Sequence, residues 1–303
     1  MIEFNSTTKI YRSLLGRSVT AVEEFSLQVA EGEVLGIAGP NGAGKSTLIS
    51  LLLGYLKPTT GTVTIDGQEP RAHVERHGIG YLSELMTINP SWTGEDALRR
   101  FATLAAVPRA QVETRVDAVI EEMGIAEHRS KKIKAMSKGN LQRLGLAQAL
   151  LRDEKVMILD EPTHGLDPVW TQRFRGIVES LRKPGRTIII ASHNLDELQR
   201  LADRVAIIDR GRLQRLVRTG YDQATETAGT YRIAVVSGAE RMSEMFASAV
   251  DVGGGEFEIP VSGLAELNAA LAKAIQAGVL VASVVPARSV LEQQFREAVG
   301  EVS

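Results

Sequence analysis

Gly39-Pro40-Asn41-Gly42-Ala43-Gly44-Lys45-Ser46 fits the pattern G-x-x-x-x-G-K-[ST]. Glycines remove side chains, so backbone N–H groups can turn inward on phosphate oxygens, and a following helix adds its positive end. Lys45 supplies a point charge suited to β- and γ-phosphates, and the Ser46 hydroxyl suits a magnesium ion. Thr47 is read with the loop as a nucleotide-binding residue. A second cluster follows Val156-Met157-Ile158-Leu159, where the chain reads Asp160-Glu161. Four apolar residues predict a buried strand with both carboxylates at its C-terminal end, where ligands of open α/β sheets sit. Asp160 is expected to hold the magnesium, directly or through water, and Glu161 to polarise an attacking water. Alone, an apolar strand ending in Asp-Glu usually marks only a strand end. Beside a phosphate loop it points to phosphoryl chemistry.

These residues need elements to position them. Val34 to Ala38 reads as the strand before the loop, and Leu48, Ile49, Leu51 and Leu52 mark the helix after it. Val19 to Val22, Phe25 to Val29, Val156 to Leu159, Thr187 to Ala191 and Val205 to Ile208 are further short β-like runs. Continuous β-branched runs suit strands covered on both faces, and the helical patterns between them predict a mainly parallel sheet. From residue 85 to about 152 the strands stop. Thr93 is placed to cap a helix through Leu98 and Phe101, and Pro108 opens another with Val112, Val116 and Ile120. The reading is an α/β core over residues 1–217 with a helical insert over about 85–152.

Residues 218–230 are small and polar, a predicted linker. After it, Tyr231, Ile233 and Val235 alternate as a strand, and Met242, Met245, Phe246 and Ala249 follow helical spacing. Phe257, Ile259 and Val261 predict a second strand, Leu264, Leu267, Leu271 and Ile275 a second helix, and Val279 to Val285 a third strand. Ser289 with Glu292 predicts a capping box for a last helix. Residues 218–303 therefore read as a small α/β accessory domain of β-α-β-α-β-α order.

Composition excludes several classes. The formal net charge of -2 argues against a surface built to bind nucleic acid. The absence of cysteine rules out disulfides and thiolate metal sites. The N-terminal residues predict no signal peptide, and the apolar runs fall far short of the ~20 residues of a membrane helix. Any membrane role is expected to come through a partner.

At this point the chain resembles the nucleotide-binding subunits of ATP-binding-cassette transporters. Met136-Ser137-Lys138-Gly139-Asn140 is similar to that family's signature, commonly Leu-Ser-Gly-Gly-Gln, with Ser137 and Gly139 where expected. Gly165-Leu166-Asp167 resembles its D-loop, His193 its switch histidine, and Tyr11 the aromatic that stacks on adenine. Glu84 stands where the family commonly places a glutamine that reaches the magnesium. The resemblance covers residues 4 to about 215. It implies a P-loop ATPase fold, ATP and Mg2+ as ligands, and Glu161, His193 and Lys45 as catalytic residues. It implies two copies bound head to tail, each ATP lying between the phosphate loop of one and the Ser137-Gly139 segment of the other, with Asp167 also a nucleotide-binding residue. It also implies a separate integral-membrane permease, with this chain peripheral on the cytoplasmic face of the membrane. The Ser-Lys-Gly form and the C-terminal domain resemble the efflux branch, so export is expected. The basic run Arg129, Lys131, Lys132 and Lys134 is either a positive face or a solvated helix end.

The alternatives are a soluble cassette ATPase acting in assembly or regulation, and a nucleotide switch that binds without hydrolysing. A single phosphate loop and no sustained heptads speak against the translation and DNA-repair members, and Glu161 with His193 speaks against a silent switch.

Overall fold

The computed structural model describes residues 1–13, 18–219, 229–246, 248–287 and 290–300. They divide into two compact units, one chiefly Met1–Arg218 and one chiefly Thr219–Glu297.

The first unit opens with β1 (Ile2–Arg12), β2 (Ser18–Val29), β3 (Val34–Ala38), α1 (Lys45–Leu52), β4 (Thr60–Ile65), α2 (Pro70–His77) and β5 (Gly80–Leu82). Three helices follow, α3 (Gly94–Leu104), α4 (Val112–Glu122) and α5 (Lys138–Ala149). Then come β6 (Val156–Asp160), α6 (Pro168–Leu181), β7 (Thr187–Ala191), α7 (Leu195–Leu201), β8 (Arg204–Asp209) and β9 (Arg212–Arg218). β5, β6, β7, β3, β8 and β9 form one sheet in that order, parallel as far as β8, with β9 antiparallel at the edge. Every residue of β3, β6 and β7 is buried, as their unbroken apolar runs require of strands covered on both faces. A separate antiparallel sheet, β2-β1-β4, joins the same core through Phe4 and Phe25, whose rings meet edge to face at 5.2 Å. This is the expected α/β class, with a mainly parallel core, an antiparallel β region and a helical insert.

Local chemistry accounts for several boundaries. Thr93 caps α3 through a capping box, its hydroxyl accepting from Asp96 N–H while the Asp96 carboxylate accepts from Thr93 N–H. Among the described residues no strand lies between Leu82 and Val156. The two runs around Val19 and Phe25 prove to be one strand, β2, bent at Glu24, whose φ of 46° places it in the left-handed region. Arg129 does not add to a positive face. Its guanidinium bonds the Glu95 and Asp117 carboxylates, tying α3 to α4.

The second unit contains β10 (Gly229–Ser237), α8 (Ala239–Met245), β11 (Val250–Gly253), β12 (Glu256–Val261), α9 (Leu264–Gln276) and β13 (Leu280–Pro286), followed by α10 (Val290–Val299). Its sheet runs β11-β12-β10-β13, all antiparallel, over a core of Ile233, Met242, Phe257, Ile259 and Leu267. This is a split β-α-β arrangement, β-α-β-β-α-β, with one strand more than the periodicity predicts. The extra strand β11 is only Val-Asp-Val-Gly and exposed throughout, so no buried face marks it in the sequence. Met245 and Ile275, expected on inward faces, are 37% and 60% exposed. The expected linker falls mostly on residues 220–228, and the expected Ser289 capping box also lies outside the described residues.

Candidate functional site

Strand order assembles the site. β6, β7 and β3 are neighbours, with Asp160 paired to Ala191 and Ala191 to Ile37. Adjacent strands lie about 4.8 Å apart, so the segments leaving their C-terminal ends must be neighbours too. Those segments carry the phosphate loop, Asp160-Glu161 and His193.

Residues Gly39 to Gly44 turn from β3 into α1, whose first residue is Lys45. Gly44 has φ 109°, and a Cβ there would stand 2.5 Å from the Ala21 carbonyl oxygen, so only glycine fits. Ala43 is buried, while Asn41, Gly42 and Ser46 are exposed. The Lys45 ammonium donates to the loop's own carbonyls, Gly39 O at 2.6 Å and Pro40 O at 3.2 Å. The Tyr11 hydroxyl lies 3.5 Å from Thr47 Oγ1, so the structure brings this exposed ring to the loop.

Charge is concentrated here. Burial lowers the pKa of Lys45, against the opposing pull of Glu161, Asp160 and Glu84. Burial likewise pushes Asp160 up to about 6, with Glu84 and Glu161 adding to the rise and Lys45 opposing it. Three carboxylates therefore act on one ammonium. Ser46, Asp160 and Glu84 offer oxygen donors only, the type that magnesium takes. Among the described residues no group of three or more His, Cys, Asp or Glu side chains is arranged to hold a metal.

Glu161 has φ 49°, unusual for a side chain of its size. Its carboxylate is buried. Oε1 accepts the His193 main-chain N–H at 3.0 Å, and Oε2 lies 2.8 Å from His193 Nδ1. The Ser192 hydroxyl donates to Oε2 at 3.3 Å, and Gln142 Nε2 donates to the carbonyls of Glu161 and Pro162, both at 3.0 Å. The sequence setting of Ser192 and Gln142 carries no signal of this role, since a serine before a histidine and a glutamine within a helix are ordinary.

Ser137 and Asp167 are N-caps. Ser137 Oγ accepts from Asn140 N–H at 3.3 Å, opening α5, and Asp167 Oδ1 accepts from Trp170 N–H at 2.9 Å, opening α6. Gly139 faces the Gly165 carbonyl, which a Cβ would approach to 3.3 Å. The two segments thus form one surface group.

Topology and phosphate loop together define a P-loop nucleotide hydrolase. The family model described as ABC transporter matches residues 22–164, and one of an AAA domain matches residues 132–198. The uncharacterized ABC transporter ATP-binding protein YdbJ of Bacillus subtilis is 39% identical over 211 residues, covering 68% of each chain. The methionine import ATP-binding protein MetN of Geobacillus kaustophilus is 36% identical, covering 70% of this chain and 64% of that one. Among solved structures, the dimeric ATP-binding cassette MJ0796 bound to ADP and Pi superposes with TM-score 0.67 at 22% identity, over 73% of this chain and 99% of that chain, a likeness of fold. The chain belongs to the ATP-binding-cassette transporter family and carries its ATPase domain.

Proposed function

We propose that this chain binds and hydrolyses ATP to drive a separate membrane permease. The observation that carries the reading is the convergence of Lys45, Asp160 and the Glu161–His193 pair at the ends of β3, β6 and β7. In this reading Lys45 leaves the loop carbonyls for the β- and γ-phosphates. Tyr11 stacks on the base, the loop from Gly39 to Thr47 holds the phosphates, and Glu161 orients the attacking water while His193 contacts the γ-phosphate. A magnesium ion held by Ser46, Asp160 and Glu84 would neutralise phosphate oxygens. Two copies pair head to tail, with Ser137, Gly139 and Asp167 of one facing the ATP of the other. Residues 1–217 form the cassette and 218–303 an accessory domain with a regulatory or dimer-stabilising role.

Among the described residues no helix is long and apolar enough to cross a membrane. Attachment on the cytoplasmic face would therefore come through the permease. The direction we read is export, on the Ser137-Lys138-Gly139 form. A relative whose name states import shares the cassette, so the cassette alone does not set direction. The test is membrane fractionation with co-purification, followed by flux in inverted vesicles. Recovery with an integral-membrane protein and ATP-dependent uptake into inverted vesicles would support the reading. Recovery without any membrane partner would favour the soluble alternative.

A further inference from the structure

We propose that Arg143 and Trp170 are positioning residues that set Ser137 and Asp167 for the ATP of a neighbouring copy, an inference that rests on the head-to-tail reading. The Arg143 guanidinium lies 4.1 Å from the centroid of the Trp170 ring, and that of Arg173 lies 4.6 Å from the same centroid. Each cation is anchored from behind. Arg143 donates to the Gly124 carbonyl at 3.0 Å and bonds Asn140 Oδ1, while Arg173 donates to the Glu122 carbonyl at 3.1 Å. Gly124 has φ 55°, and a Cβ there would stand 2.9 Å from the indole edge, so the end of α4 closes tightly on the ring.

The stack therefore touches both caps. The main-chain N–H of Trp170 is the donor that fixes Asp167, so the stacked ring acts on that cap by holding its own backbone in place. Asn140, whose side-chain oxygen Arg143 holds, is the residue whose main-chain N–H fixes Ser137. A cation over an indole is attractive, and a planar guanidinium can stack on the ring and bond sideways at once, which lysine cannot. Burial lowers the Arg143 pKa, and the Asp167 carboxylate opposes that shift, so the two groups attract each other as well. The ring works as a spacer between two loops that the head-to-tail reading sends to the partner's nucleotide.

A second route is open to the same helix. Gln142, next to Arg143, bonds the chain's own Glu161 and Pro162 carbonyls. Disturbing the stack would act in cis through Gln142 or in trans through Ser137 and Asp167, and mixed dimers separate the two. Trp170→Leu in the full chain is expected to lower ATP turnover about ten-fold while leaving ATP affinity of the monomer unchanged. Trp170→Phe, which keeps a ring face, should recover most of it. Adding excess Lys45→Ala, inactive alone, then creates one site with an intact loop and intact Ser137 and Asp167. Turnover per Trp170→Leu chain should rise several-fold. No rise, or equal loss in Trp170→Leu and Trp170→Phe, overturns the proposal. Ser137→Ala mixed with Lys45→Ala is the control. If that pair also fails to recover, the head-to-tail reading falls and takes the proposal with it. If that pair recovers and the Trp170→Leu pair does not, only the proposal falls. Should Trp170→Leu not fold, Arg143→Lys enters the same mixing experiment, with the same outcomes deciding.

Discussion

The Glu161 carboxylate receives the main-chain N–H of His193 at 3.0 Å, while the ring of the same histidine reaches its other oxygen at 2.8 Å. One residue thus holds both oxygens, by backbone and by side chain. Glu161→Gln keeps an acceptor for the backbone N–H but gives up the charge. Turnover should fall about 10²–10⁴-fold with ATP affinity little changed. Sedimentation with ATP and magnesium should show a long-lived dimer. A variant that stays monomeric and hydrolyses at the normal rate would remove Glu161 from the chemistry.

His193→Ala leaves the backbone bond and the Ser192 hydroxyl on Glu161. The ring is 65% exposed, so stability should change by no more than about 0.5 kcal/mol. Turnover should nonetheless fall on the order of 100-fold if the ring contacts the γ-phosphate. Urea melts and single-turnover hydrolysis on the same sample decide between a structural and a functional ring.

Asp160 opposes folding when ionised. Its folded pKa of about 6 lies above its ordinary value of 3.8. The native state therefore holds the proton more tightly than the unfolded chain. The resulting penalty is absent below pH 3.8 and complete above about pH 6, so stability falls as pH rises through that window. Asp160→Asn should stabilise the metal-free protein by ~1–3 kcal/mol at pH 7.5 and by less at pH 5, while abolishing magnesium-dependent hydrolysis. Urea melts at the two pH values, with chelator present, check the sign.

Glu84 acts electrostatically on both Asp160 and Lys45. A carboxylate there should bind magnesium more strongly than an amide and repel metal-free ATP. Glu84→Gln is expected to weaken ATP binding with magnesium and strengthen it with chelator. An unchanged ratio of the two affinities would mean that Glu84 does not face the metal.

Phe257 is 1% exposed at the centre of the second unit's core. Phe257→Ala should destabilise that unit by ~3–5 kcal/mol and spare ATP binding at the phosphate loop. Calorimetry with and without ATP would show an early transition that nucleotide does not move. A loss of ATP affinity would show that the units do not act separately.

Much of this was legible because burial on both faces leaves unbroken apolar runs, as in Val34 to Ala38 and Thr187 to Ala191. β1 and β4 were not. Residues of β1 alternate poorly because Ser6, at φ 43°, interrupts the register, and the buried Thr7 reads as polar. β5 is three residues long, below any useful period. Lys45, Asp160 and Glu161 could be read from their motifs. The left-handed backbone of Glu161 could not, since residue type points to glycine or asparagine there. Trp170 gave little signal because only Arg173, three residues on along α6, is its neighbour in sequence, whereas Arg143 lies on α5 and reaches the ring only in three dimensions.

The place of β3 in the sheet also sets a schedule for synthesis. Both of its neighbours, β7 and β8, come from far later in the chain. Ribosomes add ~5–20 residues per second, so on the order of ten seconds separates Ala38 from Thr187. Throughout that interval a fully apolar strand has neither hydrogen-bonding edge satisfied, and the loop that follows it has no His193 to face. The nascent chain is thus most exposed to aggregation, and most in need of a chaperone, while the segment that carries the phosphate loop is already made. Nucleotide cannot rescue it then, because the site closes only when β7 and β8 arrive on either side.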